Sequence, residues 1–282
     1  MKIGIIGNGF VGKATKQLKC PDIEILAYDI NPEICEPLGL KLTDMNECEI
    51  IFISVPTPMN KDGSCYLNII HSVLRDLRNI NYNKFIVLRS TVPAGTCDEL
   101  GVYFMPEFLT EKNFINDFIN NKDWIFGLCG TDIMKDEEFK KQTSTLFSLA
   151  HKNDRIKYNN LNFVTNKEAE MIKMFKNCFL ATKVSFCNEM NQFCEKKGVN
   201  YENVRKLAAN DDRILHSHTK VPGPDGRKGF GGTCFPKDTS SLRYEMQRTE
   251  MQPYIMNAII ERNEKIDRPE KDWNDNKGRA VI

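Results

Sequence analysis

The sequence predicts an α/β fold: a Rossmann-type doubly wound sheet over residues 1–160, followed by an all-helical second domain over residues 161–282. Three observations predict it. A short apolar strand, Lys2 to Ile6, runs straight into a Gly-x-Gly-x-x-Gly turn at Gly7, Gly9 and Gly12. Apolar runs then alternate with helical patterns through the first half, as a parallel sheet requires. From Asn166 to Lys197 the pattern changes to that of one long helix. At 282 residues the chain can bury a substantial core, and two domains are expected.

The first elements define a candidate dinucleotide site. In Gly7-Asn8-Gly9-Phe10-Val11-Gly12, Gly7 permits a tight turn, Gly9 lets the backbone approach a pyrophosphate, and Gly12 lets helix pack on strand. The helix that follows, Gly12 to Lys19, points its positive end at the phosphates. The next strand, Ile23 to Tyr28, ends at Asp29, where a carboxylate would accept the ribose hydroxyls and repel a 2′-phosphate. The expected cofactor is therefore NAD. A purely structural turn would share the glycines, but the order strand, turn, helix, strand, acid favours the dinucleotide reading.

Two buried strands follow, Glu49 to Val55 and Lys84 to Arg89, ended by Pro56-Thr57-Pro58 and by Ser90-Thr91-Val92-Pro93. The carboxyl ends of strands in a doubly wound sheet are where ligands bind, so Val55, Pro56, Thr57 and Thr91 are expected to line the cofactor site. Simple loop punctuation is the competing reading. Shorter strands are expected at Val102 to Met105 and Trp124 to Leu128, with a helix near Lys135 to Leu149.

The long helix carries Met171, Phe175, Phe179 and Phe186 at helical spacings, and Gly198 stops it. A helix of this length often doubles as a subunit contact, so a homodimer is expected. Lys173 and Asn177 lie one turn apart on one face, the way a helix presents two polar groups to one ligand, although a solvated face has the same spacing. Further on, Gly229-Phe230-Gly231-Gly232-Thr233-Cys234-Phe235-Pro236-Lys237-Asp238 sets a cysteine among glycines, with a lysine and an aspartate close behind. A thiolate attacks carbonyl carbon well when nearby positive charge lowers its pKa, and Lys237 can supply that charge. Taken alone, the decapeptide fits an ordinary buried cysteine in a Gly-rich turn equally well. The charged run Glu261 to Lys277 reads as a solvated tail.

Composition narrows the partners. With 39 Lys plus Arg against 38 Asp plus Glu there is no basic field for nucleic acid or a membrane surface. No apolar run approaches the roughly twenty residues that span a bilayer, and the N-terminus has no signal-peptide pattern, so a soluble cytoplasmic protein is expected. The ten cysteines form no C-x-x-C pair and read as reduced thiols. His216-x-His218 has no acidic or thiol partner at ligand spacing, and no metal site is expected.

Taken together these segments resemble the UDP-glucose 6-dehydrogenase branch of the nucleotide-sugar dehydrogenases, over nearly the whole chain and in the right order. The matching parts are Gly7 to Gly12 with Asp29, Val55 to Pro58, Ser90 to Gly95, Pro106-Glu107-Phe108-Leu109-Thr110-Glu111, Ala169-Glu170 with Lys173 and Asn177, Asn188-Glu189, and Gly229 to Asp238. The resemblance implies NAD-dependent oxidation of a primary alcohol to a carboxylate in two steps. Cys234 would hold the aldehyde as a thiohemiacetal, which is oxidised to a thioester and cleaved by water. It further implies that Lys173 stabilises oxyanion character at C6 with support from Asn177, that Asp238 with Thr91 holds a water, and that Glu111 acts as a base. Lys237 would contact substrate or cofactor. Glu107, Phe108, Leu109, Thr110, Arg213, Phe230, Gly231 and Gly232 would contact the nucleotide sugar.

Two departures stand out. Arg213 lies in Asp211-Asp212-Arg213-Ile214-Leu215, where the family has D-P-R-I-G, so Asp212 and Leu215 replace its proline and glycine. Family members usually continue into a further Rossmann-like domain that grips the base and diphosphate. Here Lys277 to Ile282 resembles the opening of its first strand, and the sequence then stops, which fits either a short form or a truncated chain. Two rival readings remain: a single-step hydroxyacid dehydrogenase of the 6-phosphogluconate type, and an NAD-binding protein without turnover.

Overall fold

The computed structural model describes residues 1–282. Its contacts divide the chain into two compact units, one of Met1–Thr57 with Leu67–Lys173 and one of Pro58–Tyr66 with Met174–Ile282.

The first unit contains β1 (Lys2–Ile6), α1 (Phe10–Thr15), β2 (Glu24–Tyr28), β3 (Ile50–Ile53), α2 (Asn68–Asn79), β4 (Phe85–Leu88), α3 (Thr96–Leu100), β5 (Tyr103–Phe104), α4 (Phe114–Ile119), β6 (Asp123–Leu128), α5 (Ile133–Lys152) and β7 (Asn160–Thr165). The strands form one sheet in the order β2-β1-β3-β4-β5-β6-β7. Residues of alternate facing supply two cores. Ile3, Ile5, Phe52 and Val87 pack with Phe118 and Phe139 on one side, and Ile51, Ile53 and Leu88 pack with Ile70 and Leu74 on the other. Central strands buried on both faces read as unbroken apolar runs, which is why β3 and β4 stand out in the sequence.

The sheet is mixed rather than wholly parallel. β5 meets β6 antiparallel, with Phe104 opposite Gly127, while the other pairs are parallel. β7 was not anticipated from the sequence. It is an edge strand with no fully buried residue, so it lacks the apolar run that marks a central strand.

α6 (Asn166–Lys197) is one helix of 32 residues, as its periodicity predicts. The division between the two compact units falls inside it, after Lys173. Its first two turns are bonded to the first unit: Asn166 Nδ2 donates to Asp98 Oδ1 and to the Val102 carbonyl, both at 2.9 Å. The aromatic residues along it are not core residues. Phe175, Phe179, Phe186 and Phe193 are 68, 59, 63 and 53% exposed.

The second unit is mainly helical, with α7 (Tyr201–Ala208), α8 (Phe235–Arg248) and α9 (Tyr254–Arg262) following the later part of α6. It also takes in the hairpin at residues 58–66, because Met59 bridges to Cys65 and to Val281. The run Glu261 to Lys277 is not a solvated tail. It continues from α9 through a π-helical turn at Asn263–Asp267 to a 3-10 turn at Asp272–Asp275, and it buries Asn263, Arg268 and Trp273. Several of its charges meet protein partners, as where Arg262 Nη2 meets Asp267 Oδ1 at 3.0 Å and Arg268 meets Asp225, so a polar composition does not keep it in water.

No helix is long and apolar enough to cross a membrane.

Candidate functional site

The turn after β1 is built as the glycine spacing predicts. Gly7 has φ +92°, and a Cβ there would lie 2.5 Å from the Ser54 carbonyl oxygen. At Gly12 a Cβ would lie 2.1 Å from the Gly7 carbonyl oxygen, so α1 can sit on the turn only because no side chain intervenes. Nothing lies within 4 Å of the corresponding position at Gly9, which leaves the main chain open to a ligand. Asp29 is held by the turn itself: its carboxylate accepts the Asn8 N–H at 2.7 Å and the Asn31 N–H at 3.0 Å. The ends of β3 and β4 are tied together by Ser90 Oγ donating to the Val55 carbonyl at 2.6 Å and Thr57 Oγ1 donating to the Thr91 carbonyl at 2.8 Å. Open glycine, fixed carboxylate and helix N-terminus together fit a dinucleotide. Gly12→Ala is expected to cost about 1–3 kcal/mol of stability through overpacking and to weaken NAD binding. Thermal melts and calorimetric titration with NAD check both.

Also in the first unit, Lys173 and Glu107 form a buried ion pair. Lys173 Nζ lies 2.7 Å from Glu107 Oε1 and donates to the Glu107 carbonyl at 2.6 Å, with side-chain exposures of 4% and 6%. The other carboxylate oxygen of Glu107 accepts the Leu109 N–H at 2.8 Å, and the ammonium stands 5.6 Å from the centre of the Phe108 ring. A buried pair of this kind holds a cation in a fixed place in a dry setting, where it acts strongly on nearby developing negative charge.

In the second unit Cys234 is the N-cap residue of α8 and is half-buried. Asp238, one turn on and 1% exposed, accepts from Asn177 Nδ2 at 2.6 Å and from Lys237 Nζ at 2.6 Å. Burial works against the Lys237 ammonium, but the Asp238 carboxylate and then the Cys234 and Cys65 thiols outweigh it and raise its pKa. A cysteine at a helix start with a permanent cation three residues on is the setting that favours a thiolate. Other thiols are placed differently: burial pushes the Cys129 thiol up to about 11 and the Cys178 thiol higher still.

Residues 39–147 match the UDP-glucose/GDP-mannose dehydrogenase family, NAD binding domain, and residues 167–265 match the same family's central domain. The chain belongs to the UDP-glucose/GDP-mannose dehydrogenase family. It is 30% identical over 270 residues to UDP-glucose 6-dehydrogenase of Rickettsia felis, covering 90% of this chain and 57% of that protein. It is 30% identical over 311 residues to UDP-glucose 6-dehydrogenase TuaD of Bacillus subtilis, covering 94% of this chain and 63% of the relative. The chain thus spans less than two thirds of the length of these relatives. Among solved structures, a UDP-glucose dehydrogenase from Pyrobaculum islandicum shares the fold with a TM-score of 0.77 at 24% identity, over 93% of this chain and 68% of that one. A 3-hydroxyisobutyrate dehydrogenase from Mycobacterium tuberculosis shares it with a TM-score of 0.69 at 12% identity, over 92% and 91%.

The family membership makes the first unit an NAD-binding domain. Glu111 is on an exposed turn, and the Thr110 N–H and hydroxyl are both taken by Asp117. Arg213 pairs with Asp211 at 2.5 Å on an exposed loop that Lys183 holds by its Ile214 and Leu215 carbonyls. Leu215 adopts φ +58°, the left-handed conformation that favours glycine. Phe230 is 4% exposed and packs in the unit's core near Phe235.

His216 Nε2 lies 3.1 Å from Asn210 Oδ1, and His218 packs against the Phe235 ring.

Glu170 lies one turn before Lys173 on α6. It is fully buried and accepts the Gly95 and Cys97 N–H groups at 2.6 and 2.8 Å, tying α6 to the start of α3 just after Thr91. Burial pushes its carboxyl pKa up against the pull of those two donors. Its spacing of three from Lys173 was the available signal. Arg89 is buried with its guanidinium on Thr15 Oγ1 and beside the Phe118 ring, and burial lowers its pKa to about 10. No sequence pattern marks it.

Proposed function

We propose that this chain oxidises the C6 alcohol of a nucleotide sugar, UDP-glucose before others, to the carboxylate in two NAD-dependent steps. NAD supplies the hydride acceptor for each step, so alcohol, two NAD and one water yield carboxylate, two NADH and three protons. Gly7 to Gly12 would hold the pyrophosphate and Asp29 the ribose. The Lys173 ammonium would stabilise negative charge on the C6 oxygen, a role suited to a cation kept dry and fixed by Glu107. Cys234 would add to the aldehyde carbon as a thiohemiacetal, its proton leaving to solvent or a nearby carboxylate. Oxidation of that adduct gives a thioester, which water cleaves to restore the thiol. Holding the aldehyde on sulfur prevents its escape between the two oxidations. Asp238, fixed by Asn177 and Lys237, would orient the water, with Thr91.

The observation that carries this reading is the placement of Cys234 at the start of α8, with Lys237, Asp238 and Asn177 bonded around its first turn. Measuring NAD reduction with UDP-glucose, GDP-mannose and UDP-N-acetyl sugars tests it. Activity with UDP-glucose is expected, and silence with all of them would leave only NAD binding. The fold shared with a 3-hydroxyisobutyrate dehydrogenase favours one rival, a single-step hydroxyacid oxidation. That chemistry needs no cysteine and yields one NADH.

We also propose a homodimer through α6. Phe175, Phe179, Phe186 and Phe193 form an exposed aromatic row, with Phe175 and Phe179 stacked at 6.1 Å, and water-facing apolar rows of this kind commonly mark contacts between subunits. Phe179→Asp with Phe186→Asp is expected to convert a dimer to a monomer in light scattering. A wild-type monomer at micromolar concentration would contradict this.

A further inference from the structure

The second unit grips the glycine stretch ahead of Cys234 from a segment outside every motif discussed above. Asn263 Oδ1 accepts the Phe230 N–H at 2.8 Å, and Asn263 Nδ2 donates to the Phe230 carbonyl at 2.8 Å. One side-chain amide therefore closes on both main-chain groups of a single residue. At Gly229, with φ +68°, a Cβ would lie 2.3 Å from the same Oδ1. At Gly231 a Cβ would lie 2.2 Å from Arg268 Nη1 and 2.6 Å from Cζ, so the guanidinium lies directly against the main chain. Neither side chain has room to withdraw. Both are 1% exposed, Arg268 is bonded to Asp225 with its Nε 3.1 Å from Asp272 Oδ1, and the Arg268 N–H returns to the Asn263 carbonyl at 2.8 Å.

We infer that Asn263 and Arg268 are positioning residues that fix the main chain at Phe230 and Gly231 and thereby hold Cys234 at the start of α8. Glycine has the most conformational freedom of any residue, and this stretch has three within four positions, Gly229, Gly231 and Gly232. Left to itself, such a stretch would let a nucleophile wander by far more than the fraction of an ångström that covalent chemistry tolerates. The Phe230 ring is anchored in the apolar cluster of Ile259 and Ile260, and its main chain is anchored by Asn263, so side chain and backbone are fixed independently. The glycines admit a close approach of Asn263 and Arg268 that any side chain would block. This gives the glycines at 229 and 231 a structural reason in addition to substrate access.

The inference rests on Cys234 being the nucleophile, and its test has readouts that do not need turnover. In Asn263→Ala, hydrogen exchange at the Phe230 and Gly231 amides is expected to rise by about tenfold or more, because two buried hydrogen bonds are lost, while α7 is unchanged. Alkylation of Cys234 by iodoacetamide is expected to slow by about fivefold or more as the thiol leaves its fixed place at the helix start. With UDP-glucose, kcat is expected to fall by about a hundredfold with the KM for NAD unchanged. Asn263→Asp keeps the acceptor for the Phe230 N–H and should lie between Ala and wild type in all three. It also carries the test if the Ala variant does not fold. Loop exchange that rises no more than that of α7, or a Cys234 alkylation rate within twofold of wild type, would overturn the inference even if no nucleotide sugar is turned over.

Discussion

Cys234→Ser is expected to lower formation of the carboxylate from UDP-glucose by about a thousandfold or more, the scale seen when a covalent nucleophile is removed. A serine hydroxyl at the same place has no means of ionising near neutral pH, so the start of α8 and Lys237 can no longer favour an attacking anion. NAD affinity should not change, because the glycine turn and Asp29 are untouched by the substitution. NADH formation followed with mass analysis of the sugar product makes the measurement. Undiminished carboxylate production by the serine variant would remove the thioester route. Serine at Cys178, whose thiol is buried and held in its neutral form, is the control and should leave turnover intact.

Lys173→Ala is expected to act twice. Loss of a fixed cation beside developing negative charge should lower kcat by about a hundredfold to a thousandfold. Loss of the partner of Glu107, which is 6% exposed, leaves a buried carboxylate uncompensated and should cost about 3–5 kcal/mol of stability. The two effects can be separated. Lys173→Met combined with Glu107→Gln removes both charges, so it should recover most of the stability in urea titration and none of the turnover. Turnover within twofold of wild type in Lys173→Ala would show that the cation plays no part in the chemistry.

The legibility of the fold followed the depth of burial. β1, β3 and β4 are enclosed on both faces and appear as apolar runs, whereas β7 is half-exposed and Asn-rich and left no such trace. The length of α6 could be read from its periodicity, but not which side of it faced water. Phe175 and Phe179 recur at the spacing of a core stripe and yet are exposed, since periodicity reports that a face exists and not what covers it. The segment after α9 is buried although its composition is that of a solvated run, because composition does not distinguish charges that meet solvent from charges that meet protein partners. Asn263 meets a residue 33 positions upstream and Arg268 meets Gly231, contacts that no local pattern marks.

The candidate site followed the same division. Gly7 and Gly12 sit in a local motif whose spacing already implies their geometry, whereas the place of Cys234 at the start of α8 has no such mark. The partnerships of Lys173 with Glu107, and of Asn177 with Asp238, join residues 66 and 61 positions apart. Helix spacing put Lys173 and Asn177 on one face, but it could not say that each would meet a carboxylate. Arg213 shows the reverse case: a recognisable segment whose side chain is engaged with a neighbouring Asp211 on an exposed loop.

The most direct test of the central claim is the number of NADH formed for each UDP-glucose consumed by the purified protein in a limiting-substrate assay. Two NADH, with UDP-glucuronate as the product and no aldehyde detectable, is the result expected if Cys234 retains the intermediate between the oxidations. One NADH per sugar, with a carbonyl product released to solution, would contradict it.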